Sequence, residues 1–137
     1  MTAAAALTAV LLLSGPAAAP SAADRAECIC LLDSATSPVV GAVRIFEARR
    51  PGSPGAVAAA QRVLVAATGA RDSLETAPVS AACGPSYGEE LIYLNHLIPG
   101  FRGWLDARSG RPPADYDIAS IIRRARVHRE RGRARLR

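Results

Sequence analysis

The sequence predicts a mainly β domain, a small barrel or sandwich capped by one C-terminal amphipathic helix. Three observations predict it. After Pro38, the segment Val39-Val40-Gly41-Ala42-Val43-Arg44-Ile45-Phe46-Glu47 is dense in β-branched residues and begins to alternate apolar with polar. A Gly/Pro turn at Cys83-Gly84-Pro85 runs into the apolar segment Leu91-Ile92-Tyr93-Leu94, bounded by Gly88 and Asn95, which reads as a buried strand. Near the C-terminus, Ile118, Ile121, Ile122 and Ala125 fall at i, i+3, i+4 and i+7, one apolar helical stripe.

Taken in order, the chain supplies the remaining elements. Cys28-Ile29-Cys30-Leu31-Leu32 is the first apolar segment after a polar lead, Asp24 to Glu27; extended, it places both cysteines on one face. The Val39–Glu47 strand carries Gly41 as a bulge or bend, and Arg49 to Gly55 is a loop by its Pro, Gly and Ser content. Val57 to Thr68 is ambiguous: Ala58-Ala59-Ala60-Gln61 suits a helix and Val63-Leu64-Val65 a strand. A turn at Gly69 to Asp72 leads to a half-exposed strand, Ser73 to Ala77, that ends at Pro78, and Trp104-Leu105-Asp106 is a fifth short strand. Pro112-Pro113 stops the sheet and Asp115 caps the final helix. From about Arg129 no large apolar residue recurs except Leu136, so residues 128–137 are expected to be a frayed basic tail.

Composition bounds the rest. After removal of an N-terminal signal, 137 residues hold one small domain. The net charge of +5 is unevenly placed. Residues 123–137 hold eight arginines and one glutamate, a net +7, while the preceding residues hold nine arginines and eleven acids, a net −2. Every basic side chain is an arginine, always charged and able to fork onto carboxylate or phosphate. Thr2 to Leu13 is an uncharged Ala/Leu/Val run followed by Ser14-Gly15-Pro16 and small residues, a signal peptide over residues 1–23 with cleavage after Ala23. It is too short for the roughly 20 apolar residues of a transmembrane span. Export to the periplasm, the cell envelope or the medium implies an oxidising compartment, in which cysteines are read first as disulfides. A cross-link from Cys83 to the Cys28-x-Cys30 pair would close a loop of about 55 residues and contribute roughly 4 kcal/mol in the chain-entropy model.

The order of these features resembles the netrin-like module of the tissue inhibitors of metalloproteinases and their bacterial relatives. The likeness rests on Cys28-x-Cys30 after a signal, the strand Val39-Val40-Gly41-Ala42-Val43, and Cys83-Gly84 shortly before Gly88-Glu89-Glu90-Leu91-Ile92-Tyr93-Leu94, and covers roughly residues 28–126. It implies a five-stranded OB-type barrel with a flanking helix over residues 24–127, and a disulfide between Cys28 and Cys83. In the family the second cysteine of Cys-x-Cys pairs with one near the position of Ala107 to Gly110 here. That partner is absent, which leaves Cys30 as a free or intermolecular thiol. The family's inhibitors chelate a protease zinc through the free amine and carbonyl of the first cysteine. Cleavage after Ala23 leaves Asp24 to Glu27 ahead of Cys28, without that amine.

Other chemistry is thinly represented. Gly84-Pro85-Ser86-Tyr87-Gly88 matches the G-x-S-x-G nucleophile pattern, which has meaning only between a strand and a helix on a large α/β sheet. His96 and His128 stand apart, and three cysteines do not make a zinc site, so neither a metal nor another cofactor is expected. Cys28-x-Cys30 is also a candidate redox or copper-handling pair, although the usual redox spacing is C-x-x-C. Glu89 and Glu90 alternate faces on a strand and cannot form a dyad. Few aromatics and an exported location argue against nucleic acid. The expected function is a secreted, non-catalytic module that binds a protein partner, a metalloprotease in the family's case. The alternative is an envelope-associated structural or adhesion protein held by Arg129, Arg131, Arg133, Arg135 and Arg137 against an anionic surface.

Overall fold

The computed structural model describes residues 19–80, 83–108 and 117–137. The described residues form four helices and no strand: α1 (Ala22–Glu47), α2 (Pro54–Thr76), α3 (Gly84–Arg108) and α4 (Ile118–Ala134). Helix starts are set locally. Ser21 and Asp24 form a reciprocal capping box, the Ser21 hydroxyl accepting from the Asp24 amide at 3.1 Å and the Asp24 carboxylate accepting from the Ser21 amide at 3.0 Å. These bonds to Ser21 hold the Asp24 carboxyl below its ordinary range. Ser53 caps α2 ahead of Pro54, whose missing N–H costs nothing in the first turn. Asp117 accepts from the Ser120 amide at the start of α4.

Each helix buries one stripe. In α1 the buried positions are Cys28, Leu32, Thr36, Val39, Val43 and Phe46, and in α2 they are Ala56, Ala59, Ala60, Val63, Ala67, Ala70 and Leu74. Steps of three and four repeat through both, the seam of a helix bundle. Cross-contacts fix the directions. The start of α1 is bonded to the start of α3 through Cys28 and Cys83, and the end of α1 meets the end of α3 where Phe46 packs edge-on against Phe101 and Trp104. The Tyr87 hydroxyl, near the start of α3, donates to the Leu74 carbonyl near the end of α2. Ser86 reaches Gly132 near the end of α4. The chain is therefore an up-down-up-down bundle. Two glycines bring α3 and α4 close: a Cβ on Gly100 would stand 2.7 Å from Ile121 Cγ2, and one on Gly132 would stand 3.2 Å from the Ser86 carbonyl oxygen.

This architecture overturns the expected mainly β fold and its five-stranded OB-type barrel. The Val39–Glu47 segment forms the last turns of α1 and Leu91–Leu94 an interior turn of α3, the ambiguous Val57–Thr68 segment and Ser73–Ala77 lie in or at the end of α2, and Trp104–Asp106 lies in the last turns of α3. The reason is spacing. β-branched residues lose only tenths of a kcal/mol each in a helix, and Thr36, Val39 and Val43 sit at bundle-seam intervals, where packing outweighs that loss. Pro38 and Pro99 each delete a helix donor, yet both are tolerated inside 25- and 26-residue helices.

Two boundaries also differ. Residues 128–134 continue α4 and Leu136 is buried, so the C-terminal segment is packed against the body where a frayed tail was expected. Helix α1 begins at Ala22, and its cap spans the expected cleavage point after Ala23. The Thr2–Leu13 run expected to be a signal, the expected stop at Pro112-Pro113 and Asp115 lie outside the described residues, and the cap of the last helix is Asp117 where Asp115 was expected. By length and composition Ala22–Glu47 could cross a bilayer. Here its apolar stripe joins the core, while Asp33 and Glu47 pair with α4 arginines.

Candidate functional site: the arginine helix and its buried acid

Helix α4 carries arginines on two sides, and the two sides do different things. On the inner side Ile122, Ala125, Arg129, Gly132 and Leu136 follow one another at steps of three and four, with Arg133 next to Gly132. Arg133 is 11% exposed at its side chain and joins α4 to two helices at once: Nη1 donates to Glu90 Oε2 of α3 at 3.0 Å, and Nη2 donates to Asp33 Oδ1 of α1 at 2.7 Å. Arg129 lies one turn earlier, with Nη2 3.5 Å from Asp33 Oδ1 and its buried Nε 3.6 Å from Glu90 Oε1, an ion pair without a hydrogen bond.

Glu90 is the centre of this cluster and is fully buried. Burial pushes its carboxyl above the ordinary range, against the Thr36 hydroxyl and the Arg133 and Arg129 guanidiniums, which pull it down. A buried charge of this kind is retained only where partners meet it, and removal of one partner costs roughly 3–5 kcal/mol. The cluster therefore fixes the rotation of α4.

Beside it, Glu89 Oε2 stands 2.7 Å from His128 Nδ1, and the His128 ring stacks on His96 with centroids 5.3 Å apart. Sequence reasoning placed these two histidines in separate elements; an antiparallel α3–α4 pair brings them together. Ser86 is buried and donates to the Gly132 carbonyl at 2.9 Å, so the G-x-S-x-G segment forms the first turn of α3 with its hydroxyl proton committed to a helix contact. Among the described residues no group of three or more His, Cys, Asp or Glu is placed to hold a metal ion.

The outer side of α4 is different. Arg123, Arg124, Arg131 and Arg135 are all exposed. At 100° per residue they fall within one arc of about 120°, and the exposed Val127 lies between them. Arg135 approaches Glu89 at 3.9 Å, and the other three make no ion pair among the described residues. Of the five arginines expected to form an interaction surface, Arg129 and Arg133 face the core, whereas Arg131, Arg135 and Arg137 are exposed. Arg123 and Arg124 belong to the outer face and were missed, because reading the segment as a tail hid the helical angle that unites them. Cys28 and Cys83 are joined in a disulfide, and Cys30, two residues further around α1, is free and exposed.

Comparison with protein-family models, with curated proteins and with solved structures found no match for this chain.

Proposed function

We propose that this chain is an exported, non-catalytic binding module that docks on an anionic surface of the cell envelope through the outer face of α4. One observation carries the reading: Arg123, Arg124, Arg131 and Arg135 share one exposed face of a helix whose opposite face is locked into the core. Each guanidinium near an anionic lipid surface contributes about 1 kcal/mol, screened by salt within a Debye length of about 10 Å at 0.1 M. A rigid helix presents all four together without the ordering cost that a disordered tail would incur. The disulfide suits an oxidising compartment.

Anionic vesicles test this proposal. The full chain should be retained at low salt and released at high salt, and a variant with Arg123, Arg124, Arg131 and Arg135 all changed to Gln should not be retained. Equal retention of both proteins rejects the proposal. Truncation before Arg129 would be a poor test, since it also strips Glu90 of its partners.

A protein partner such as a metalloprotease is carried by the sequence resemblance alone. Zinc chelation would require Cys28 to be the N-terminus, whereas here Cys28 is buried in the second turn of α1. The N-terminal residue of the exported protein, read by mass spectrometry, decides that version; any residue before Cys28 removes it.

A further inference from the structure

A cavity of about 310 Å³ opens between α1, α3 and α4, next to the buried ion cluster but separate from the outer face of α4. Its floor is apolar: Val40 and Val43 come from α1, Leu97 from α3 and Ile122 from α4. Its polar groups are few. Arg44 lines it from α1, exposed, its guanidinium without a hydrogen bond or ion pair among the described residues. Arg126 and Arg129 line it from α4, Arg126 paired with Glu47 and Arg129 with the Asp33 and Glu90 carboxylates. Glu130 is the one acid in the wall.

Tyr93 adds an independent observation. Its side chain is 3% exposed and lines the cavity, yet its hydroxyl makes no hydrogen bond within the described residues. The hydroxyl oxygen itself is not sealed off, since the one buried side-chain atom without a partner among the described residues is Arg129 Nε, so the phenol O–H opens onto the cavity and is available to an occupant. The phenol is surrounded by the charges of Arg129, Glu90, Arg126 and Glu47, and burial pushes its pKa up to about 12, so it remains a protonated donor throughout the physiological range. The wall thus holds an unused neutral donor and an unused guanidinium above an apolar floor.

We propose that this cavity binds a small amphiphilic monocarboxylate, with the carboxylate between Arg44 and the Tyr93 hydroxyl and the apolar body against Val40, Val43, Leu97 and Ile122. A guanidinium fork and a phenol O–H are both donors, so the head group must be an acceptor, and charge-assisted bonds of this kind favour an ionised oxygen acid. Glu130 opposes a second negative charge, which selects a monoanion over a phosphate dianion. The volume has room for about ten non-hydrogen atoms at about 30 Å³ each, the share of one water molecule in the liquid. It lies at the lower end of the roughly 300–1,000 Å³ range of ligand pockets.

Sodium octanoate is a suitable probe, titrated into the full, disulfide-bonded chain while methyl resonances are followed by NMR. Saturable shifts are expected at Val40, Val43, Leu97 and Ile122. Arg44→Gln, which removes an exposed side chain with no internal partner, should weaken binding about tenfold, as loss of one charge-assisted bond implies, with the melting temperature unchanged. Tyr93→Phe should weaken it by a smaller factor. 1-Octanol, with the same chain and no charge, should bind at least about tenfold more weakly than octanoate. The proposal is overturned by an absence of saturable shifts up to about 10 mM octanoate, a range that would detect millimolar affinity. It is equally overturned if the shifts centre on the neighbouring apolar cavity beside Phe46 and Trp104, if Arg44→Gln binds like the wild type, or if octanol matches octanoate.

Discussion

Helices α2 and α4 stand on opposite sides of the α1/α3 pair and are held there by different forces. Helix α2 buries five alanines, Val63 and Leu74, with no charged group among its buried positions. Its small side chains let the backbones approach closely, and dispersion and burial act without direction. Helix α4 buries Ile122, Ala125 and Gly132, and between them inserts Arg129 and Arg133 toward Glu90 and Asp33. Fixed distances and angles constrain its rotation, and that rotation decides which arginines remain outside. Close packing sets how near a helix sits, whereas a buried ion cluster sets which face it shows.

The largest expected effect comes from removing the acid at the centre of the α4 contact. Glu90→Leu leaves Arg133 and Arg129 facing an apolar side chain and should cost about 3–5 kcal/mol of unfolding free energy, measured by urea denaturation. A loss below about 1 kcal/mol, the scale of a surface pair, would mean that α4 is held by its apolar residues alone, and the contrast with α2 would disappear. On the α2 side, Ala60→Leu adds three carbons where the site is fully buried. Overpacking should cost about 1–3 kcal/mol without moving α4, so the Glu89–His128 contact should survive, as judged from the His128 ring resonances. A shift there would show that the two interfaces are coupled.

The subtlest effect is on pH dependence. Burial raises the native Glu90 pKa above its ordinary 4.5, so the folded state holds that proton more tightly than the unfolded chain. Its contribution is then fully present below pH 4.5 and is lost as pH rises through the raised native value. Glu90→Gln lacks this titration. The stability of the wild type relative to Glu90→Gln should therefore fall as pH rises from about 4 to neutrality, as urea unfolding across that range would show. A flat or rising difference would mean that the guanidiniums outweigh desolvation at this site.

Much of the fold was present in the sequence but in a different period from the one that stood out. Val39, Val40 and Val43 were conspicuous as β-branched residues, yet the buried series Cys28, Leu32, Thr36, Val39, Val43, Phe46 advances by four, four, three, four and three. Alanine concealed the same seam in α2, because a residue with one methyl is weakly apolar by composition and informative only by position. In Leu91-Ile92-Tyr93-Leu94 the run looked continuous, but Ile92 is exposed while Tyr93 and Leu94 are buried, as a helix requires. Glu89 and Glu90 were assigned to opposite faces of a strand. On a helix they stand 100° apart, near enough for one to meet His128 and the other Arg133.

The sequence alone determined the local facts: the concentration of arginine after residue 122, the apolar stripe Ile118, Ile121, Ile122 and Ala125, and three cysteines in a chain that opens on an apolar run. Tertiary structure decided which of those arginines are structural and which are free. That division depends on where Glu90 and Asp33 lie, 43 and 100 residues from Arg133, and on the burial of the Glu90 carboxylate. Long-range contact and desolvation belong to the packed chain, and no local pattern encodes them.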